Sequence, residues 1–445
     1  MSELGKTPFV WLTFDESGHL TGGIEPLRAI HALMEQEGAR DLLILSHGWK
    51  NEHSHALRLY RSLWRHCLPH LPASRPFVVA GVSWPAVKYP TDFDGAALEA
   101  VLDTGALAAA GGGGAPQDLD ERRFEQAIRA ALPGNANLRL RRLARAAARD
   151  PGRVSGTALV QEMFERMAAI AEEAGQPDDP EITGECAAIR RAAEADPMQL
   201  WHASAQPLAG PAGRADGNGG ALGRGGGGTF LAGPRATIAR LLNQFTYFPM
   251  KIRAGNIGQM LAQYLDPQPF LRDKRLHLAG HSFGGRLVTA CASRLQHLRP
   301  QSLTLLQAAF SHNGLAASSP AGAGAFANVI AEQRIKGPIA ITHTHNDRAC
   351  TLYYALASRL SGDRTLAVGD AGDPYGAMGA NGAQHVAAQR HAGFPGAGGG
   401  GPVSGRVNNY LADRDIVAVP GGPDAHGNVA NAATGRLLAA VMTAT

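Results

Sequence analysis

The chain is short of cysteine, of net charge and of long apolar runs, and each scarcity removes a class of protein. Four cysteines, Cys67, Cys186, Cys291 and Cys350, are scattered over 445 residues with no C-x-x-C pair among them. That spacing supports neither a zinc knuckle nor a disulfide framework. Cys291 falls on the apolar face of an expected helix, where a reduced, buried thiol is expected. The net charge of +4 is mild for this length, so no nucleic-acid or membrane-surface partner is implied. Residues 1–20 carry Glu3, Asp15 and Glu16 and lack a basic start followed by an apolar core, which is not the pattern of a signal peptide. No uninterrupted apolar run is long enough to span a bilayer, so a cytoplasmic location and no integral membrane segment are expected. The P-loop spacing G-x-x-x-x-G-K-[ST] is also missing around the glycines at 280–285.

What is present is core-forming material. Hydrophobic residues make up 44% of the chain, enough for one large α/β domain or for two domains. Residues 8–14 read as a strand, and Pro26 to Met34 as a short helix. Asp41 to Ser46 reads as a second strand running into His47-Gly48-Trp49. Ala56 to Leu68 has helical spacing, and Phe77 to Ser83 returns as a strand stopped by Pro85. Strand, helix and strand at these lengths make a parallel βαβ unit.

From about Ala96 to Gly233 the pattern changes. Residues 107–116 and 209–233 are glycine-rich. Between them, Leu119, Phe124, Ile128 and Leu132 fit one amphipathic helix, Leu138 to Ala148 an arginine-rich one with a solvated face, and Leu159 to Ile170 a third with Ser155 as its cap. Residues 96–233 are therefore read as a helical, glycine-rich insertion, either a lid or a surface elaboration, in a core made of residues 1–95 and 234–445. The core resumes with a helical stretch from Ile238 to Leu265. Strands follow at 302–310 and 338–345, a last strand near Asp415 to Val419, and a closing helix around Leu437 to Met442. Residues 370–405 read as glycine-rich loop.

The chemistry centres on Arg275 to Thr289. Leu276, Leu278 and Ala279 form an apolar run, Gly280-His281-Ser282-Phe283-Gly284 fits G-x-S-x-G, and Leu287, Val288, Cys291 and Leu295 recur at helical spacing. A strand turning sharply into a helix through this pentapeptide is a nucleophile elbow, with Ser282 lifted into the open. Serine needs a base, and the base an orienting acid. Asp347 follows a strand, where strand-end groups converge, with Asp370, Asp373 and Asp413 as alternatives. His426 lies in a polar loop near the C-terminus, with His385 and His391 as alternatives. His47 reads as a brace for its loop.

The order Ser282, Asp347, His426, with His47-Gly48-Trp49 and the G-x-S-x-G pentapeptide, resembles the alpha/beta-hydrolase superfamily, in its serine esterase and lipase branch. The resemblance covers roughly residues 8–95 and 235–445. It implies a mostly parallel, doubly wound sheet with a helical insertion and an oxyanion hole from the backbone N–H groups of Phe283 and Trp49. It further implies hydrolysis of a small-molecule or lipid ester with no cofactor. Two rival readings stand beside it. One is a non-catalytic, hydrolase-like scaffold that binds a partner through its insertion. The other is a metal-dependent hydrolase, because His343-Thr-His345-Asn-Asp347 looks in part like the H-x-H-x-D-H segment of metallo-β-lactamase-type enzymes. There the histidine expected after the aspartate is Arg348.

Overall fold

Runs such as Asp41–Ser46 and Phe77–Ser83 are buried at every position, which suits strands covered on both faces. The computed structural model describes residues 2–48, 53–86, 120–132, 137–150, 153–173, 179–195, 198, 201, 233–347, 349–350, 371–372, 376–419 and 423–444. Trp49, Arg348, Asp370, Asp373 and the glycine-rich stretches 107–116 and 209–232 lie outside them.

The chain divides into two compact units, one of residues 1–87, 250–350 and 374–445, the other of residues 88–249 and 351–373. The first carries the sheet. Its strands are β1 (Ser2–Leu4), β2 (Thr7–Thr13), β3 (Asp41–Ser46), β4 (Phe77–Ser83), β5 (Arg275–His281), β6 (Ser302–Leu306), β7 (Ile339–His343), β8 (Ala388–His391) and β9 (Val407–Leu411). They lie in the order β1-β2-β4-β3-β5-β6-β7-β9-β8. Only β1 is antiparallel to its neighbour; the other pairs are parallel. This is an α/β fold.

Side chains alternate across the sheet. Leu43, Leu45, Val79, Ala279, Leu306, Ala340 and Tyr410 share one core with Tyr60 and Trp64 of the helix His53–Cys67 and Leu437, Leu438 and Val441 of the helix Ala432–Thr443. The alternate residues Leu42, Ile44, Val78, Ala80 and Leu278 are fully buried too. The helix Phe283–Arg294 packs against β5, β3 and β6, and the helix Pro234–Leu265 reaches it at Gly258, where a Cβ would run into the Leu287 carbonyl.

The strand order reverses direction at β3. From β3 the chain moves outward to β4, and it later returns on the other side of β3 as β5. Ser46 at the end of β3 is in register with Gly280 near the end of β5. The loops leaving these two ends therefore lie side by side, and in open α/β sheets ligands usually bind beyond strand ends at such a switch.

Two expectations need correction here. No strand forms at Asp415 to Val419: Ile416 N–H turns back to the Ala412 carbonyl, and Val417 and Val419 are exposed. The closing strands are β8, inside the stretch 370–405 read as loop, and β9, just beyond that stretch. β9 was concealed by Asn408 and Asn409, which occupy buried strand positions because their amides pair with the backbone of Val403 and Arg406 and of Ala383. β1 also went unread.

The described residues of the second unit are mostly helical. Its helices include Glu121–Ala131, Leu138–Arg149, Arg153–Glu173 and Pro180–Ala195, with Phe124, Ile128, Leu140, Ala144, Leu159 and Val160 buried. The helix that begins at Arg153 already contains Ser155, so that serine is not its cap. Arg145 leaves the solvated face to grip Glu125 with two bonds of 2.7 and 2.8 Å.

Asp41, at the start of β3, is fully buried and takes Arg75 at 2.9 and 2.6 Å, Arg275 at 2.7 and 2.6 Å, and His277 Nε2 at 3.1 Å. Burial works to raise its pKa, but these partners outweigh it and hold the carboxyl well below the usual range. A lowered native pKa gives stability that is present above the ordinary carboxylate pKa of about 3.9 and is lost as pH falls below it. Asp41→Asn is expected to cost about 3 kcal/mol in urea unfolding at pH 7, since cations lose their buried counter-charge. The deficit should shrink when the same comparison is made below about pH 4.

Candidate active site

Ser282 follows β5 directly and has φ 57° and ψ −125°, a backbone region that side chains avoid. Such a conformation costs roughly 1–3 kcal/mol and persists only where the surroundings hold it. Here Ser282 N–H donates to the Leu306 carbonyl at 3.1 Å, and the Ser282 carbonyl accepts from Gly285 N–H and Ala309 N–H, both at 3.0 Å. The flanking glycines leave the clearance that this turn requires. A Cβ at Gly280 would strike the Gly284 backbone, and one at Gly284 would strike the carbonyls of Ser46 and His47. The helix Phe283–Arg294 begins at the next residue, so the serine stands at its N-terminus.

The His47–Gly48 loop runs against the serine from the β3 side. A Cβ on Gly48 would lie 2.5 Å from Ser282 Cβ and 3.0 Å from its Oγ. His47 is fully buried, with Nδ1 at 2.9 Å from the Gly48 carbonyl, Nε2 accepting from Trp84 N–H at 3.4 Å, and its ring stacked on Trp84. Burial lowers its pKa to about 4, so it is a neutral brace that carries its proton on Nδ1. Trp49, the other expected oxyanion donor, lies outside the described residues. Phe283 is the first residue of the helix and is buried.

His426 sits in the turn at 425–429, between Pro423 and the last helix. Its Nε2 is 2.9 Å from Ser282 Oγ and its Nδ1 is 2.8 Å from Asp347 Oδ2. With the proton on Nδ1 facing the carboxylate, Nε2 is left to accept from the serine hydroxyl. Asp347 is fully buried, four residues beyond β7, and it also accepts from Gln307 Nε2 at 3.0 Å and Cys350 N–H at 2.9 Å. Burial acts to raise its pKa, but His426, the Cys350 amide and Gln307 together lower it below the usual value. It is therefore a charged acceptor at neutral pH.

The three residues singled out from the chain order are thus joined by hydrogen bonds. Their alternatives are held elsewhere. Asp413 takes His345 Nδ1 at 2.8 Å and Thr344 Oγ1 at 2.7 Å, His385 Nδ1 lies 2.8 Å from Asn313 Oδ1, and His391 stacks on Tyr410 and meets Asn408. The metal reading of His343, His345 and Asp347 is not supported by the geometry. β7 ends at His343, so the alternation that would align the two histidines stops there, and Asp347 turns to His426 instead. His343 is pushed down to about 4 by burial of its ring and meets the Ala380 backbone.

Three contributors went unread in the sequence. Gln307, at φ 45° after β6, spans from Thr342 and the Gly379 carbonyl to Asp347. Cys350 places its Sγ 3.8 Å from His426 Nδ1. His281, the residue before the serine, donates from Nε2 to the His426 carbonyl at 2.9 Å. Burial lowers its pKa to about 3, so it stays a neutral donor, and its Nδ1 has no hydrogen-bond partner among the described residues. The only advance signal was position: all three follow or end strands of the sheet whose edge carries Ser282.

Comparisons with protein families, with curated proteins and with solved structures returned no match to this chain.

The fit between Gly48 and Ser282 leaves no room for a methyl group. Gly48→Ala is expected to cost about 1–3 kcal/mol, as overpacking does, and to lower the midpoint of denaturant unfolding at unchanged slope.

Proposed function

We propose that the chain is a serine hydrolase of the alpha/beta-hydrolase kind that cleaves carboxylic esters through an acyl-enzyme intermediate. The observation that carries this reading is the hydrogen-bond relay from Ser282 Oγ through His426 to the buried carboxylate of Asp347, built on a serine at positive φ. A buried carboxylate next to an imidazole has a definite use in acyl transfer. It fixes the tautomer that leaves Nε2 basic, and it stabilises the imidazolium that forms when the serine loses its proton.

In this mechanism Nε2 of His426 takes the Ser282 proton as Oγ attacks the ester carbonyl. The negative charge that develops on the carbonyl oxygen is met by backbone N–H groups, assigned by the family resemblance to Phe283 and Trp49. Each preorganised donor of this type is worth roughly 2.7–4 kcal/mol. The imidazolium then protonates the leaving alcohol, and His426 activates a water that releases the acid and restores the serine. The substrate is a small-molecule or lipid ester. His281 acts as a positioning residue, tying the loop of the base to the strand that ends in the nucleophile.

The deciding experiment is labelling with a fluorophosphonate probe alongside turnover of p-nitrophenyl esters. Wild type should label and turn over, and Ser282→Ala should do neither while melting at an unchanged temperature. Absence of labelling in a folded wild type would count against the proposal and in favour of the scaffold reading. Asp347→Asn should lower kcat by about 10⁴, the cost of the wrong tautomer; an unchanged rate would move the acid elsewhere. His281→Leu should lower kcat roughly tenfold to a hundredfold, the penalty of a misplaced catalytic group, with KM little changed. Because His281 is neutral above about pH 3, the acid limb of the pH–rate profile should keep its position in that variant while the plateau falls.

A further inference from the structure

The surroundings of Asp347 contain more than an orienting acid requires. Cys350, one helical turn on, is fully buried, and its Sγ lies 3.8 Å from His426 Nδ1, 3.5 Å from the Gln307 carbonyl and 3.8 Å from the Ala308 carbonyl. A carboxylate oxygen, an imidazole nitrogen and a thiol sulfur thus converge, all three ligating atoms within 4.8 Å of one another. We propose that Asp347, Cys350 and His426 form a binding site for a thiophilic divalent cation such as zinc, and that its occupation switches the hydrolytic site off.

The donor set is the first reason. Sulfur, nitrogen and oxygen ligands together suit zinc, and magnesium or calcium would not choose a thiolate. Distance is the second. With bonds of about 2.3 Å to sulfur and about 2.0–2.2 Å to nitrogen and oxygen, a tetrahedral centre sets its ligands roughly 3.3–3.8 Å apart. The sulfur-to-nitrogen gap of 3.8 Å already meets that. The 2.8 Å gap between Nδ1 and Oδ2 must open by under about 1 Å, an amount that a side chain in a turn can supply. The Gln307 carbonyl is near enough to the sulfur to serve as a further oxygen donor.

Charge is the third reason. Counted with Asp347 ionised and with His426 and Cys350 in their uncharged forms, the metal-free trio carries one negative charge. Binding of a dication converts thiol to thiolate and releases one proton to solvent. The proton on Nδ1 moves to Nε2 as the metal takes its place. The sum is then zero, a better charge for a buried site than a lone carboxylate.

The functional consequence rests on the reading of His426 as the base. Once Nε2 carries the proton it can no longer accept one from Ser282, so the relay is broken from behind while the substrate face is untouched. No substrate group need contact the metal.

The test uses the full chain and separates binding from turnover. In Ser282→Ala, which has no turnover to lose, cobalt(II) should produce the near-ultraviolet thiolate-to-cobalt charge-transfer absorption. Ser282→Ala/Cys350→Ser should lack it. In otherwise wild-type protein, zinc should inhibit probe labelling reversibly, with EDTA restoring it. Cys350→Ser should raise the half-inhibitory zinc concentration at least about tenfold relative to its own metal-free rate, the lower bound for damage to a ligand set. Cys350→Ala serves the same purpose should the serine variant fold poorly. A cobalt spectrum without the thiolate band, or one that is the same with and without Cys350, would overturn the site. Equal zinc sensitivity in wild type and Cys350 variants would overturn the switch. If the ester-hydrolase reading fails, labelling is absent from the start, while the cobalt titration still decides whether the site exists.

Discussion

The backbone of Ser282 is the constraint on which the rest of the site depends. Its positive φ is unfavourable for a residue with a Cβ. The compensation is partly local, from the Gly285 amide, and partly from the neighbouring strand, where the Leu306 carbonyl of β6 and the Ala309 amide just beyond it hold the turn. Glycine at 48, 280 and 284 is what lets the neighbouring backbones come that close. The same contacts that strain the serine lift its hydroxyl toward His426. Strain and the presentation of the hydroxyl to His426 are one feature here, in a serine that is itself buried.

Buried carboxylates are the second theme, and the fold uses two in different ways. Asp41, at the start of β3, is surrounded by two guanidinium groups and a histidine, so its charge is spent on holding the beginnings of β3 and β5 together. Asp347, beyond the end of β7, is held by an amide, a glutamine side chain and His426. The arrangement leaves Asp347 dependent on a partner that can gain a proton. That is what the proposed orienting acid needs, and it is also what the proposed cation site draws on.

Much of this was legible in one dimension. Ser282 could be read because strand, pentapeptide and helix are contiguous, and because a strained turn leaves a local record in the form of glycines. The buried strands β3 and β4 announced themselves as apolar runs, and β5 as a shorter one interrupted by His277. β9 did not, since Val407-Asn408-Asn409-Tyr410-Leu411 hides two buried amides whose partners lie at Val403, Arg406 and Ala383. The run at Asp415 to Val419 made the opposite error, offering strand-forming residues in a place where the chain turns. Propensity describes how a residue fits a half-buried pleat; it does not say whether a neighbouring strand is there to be paired with.

What the sequence determined alone was the strand-to-helix turn at Ser282, the α/β alternation and the candidates for acid and base, because these depend on contacts between residues close in the chain. What only the tertiary structure decided was which aspartate meets which histidine, the support given by Gln307 and His281, and the approach of Cys350 to His426. Those residues are separated by between about forty and one hundred and fifty positions and are brought together only by the order of strands in the sheet. Composition and spacing carry no record of that order. It is set by which edge of β3 the returning chain takes, and that is a property of packing rather than of any one segment.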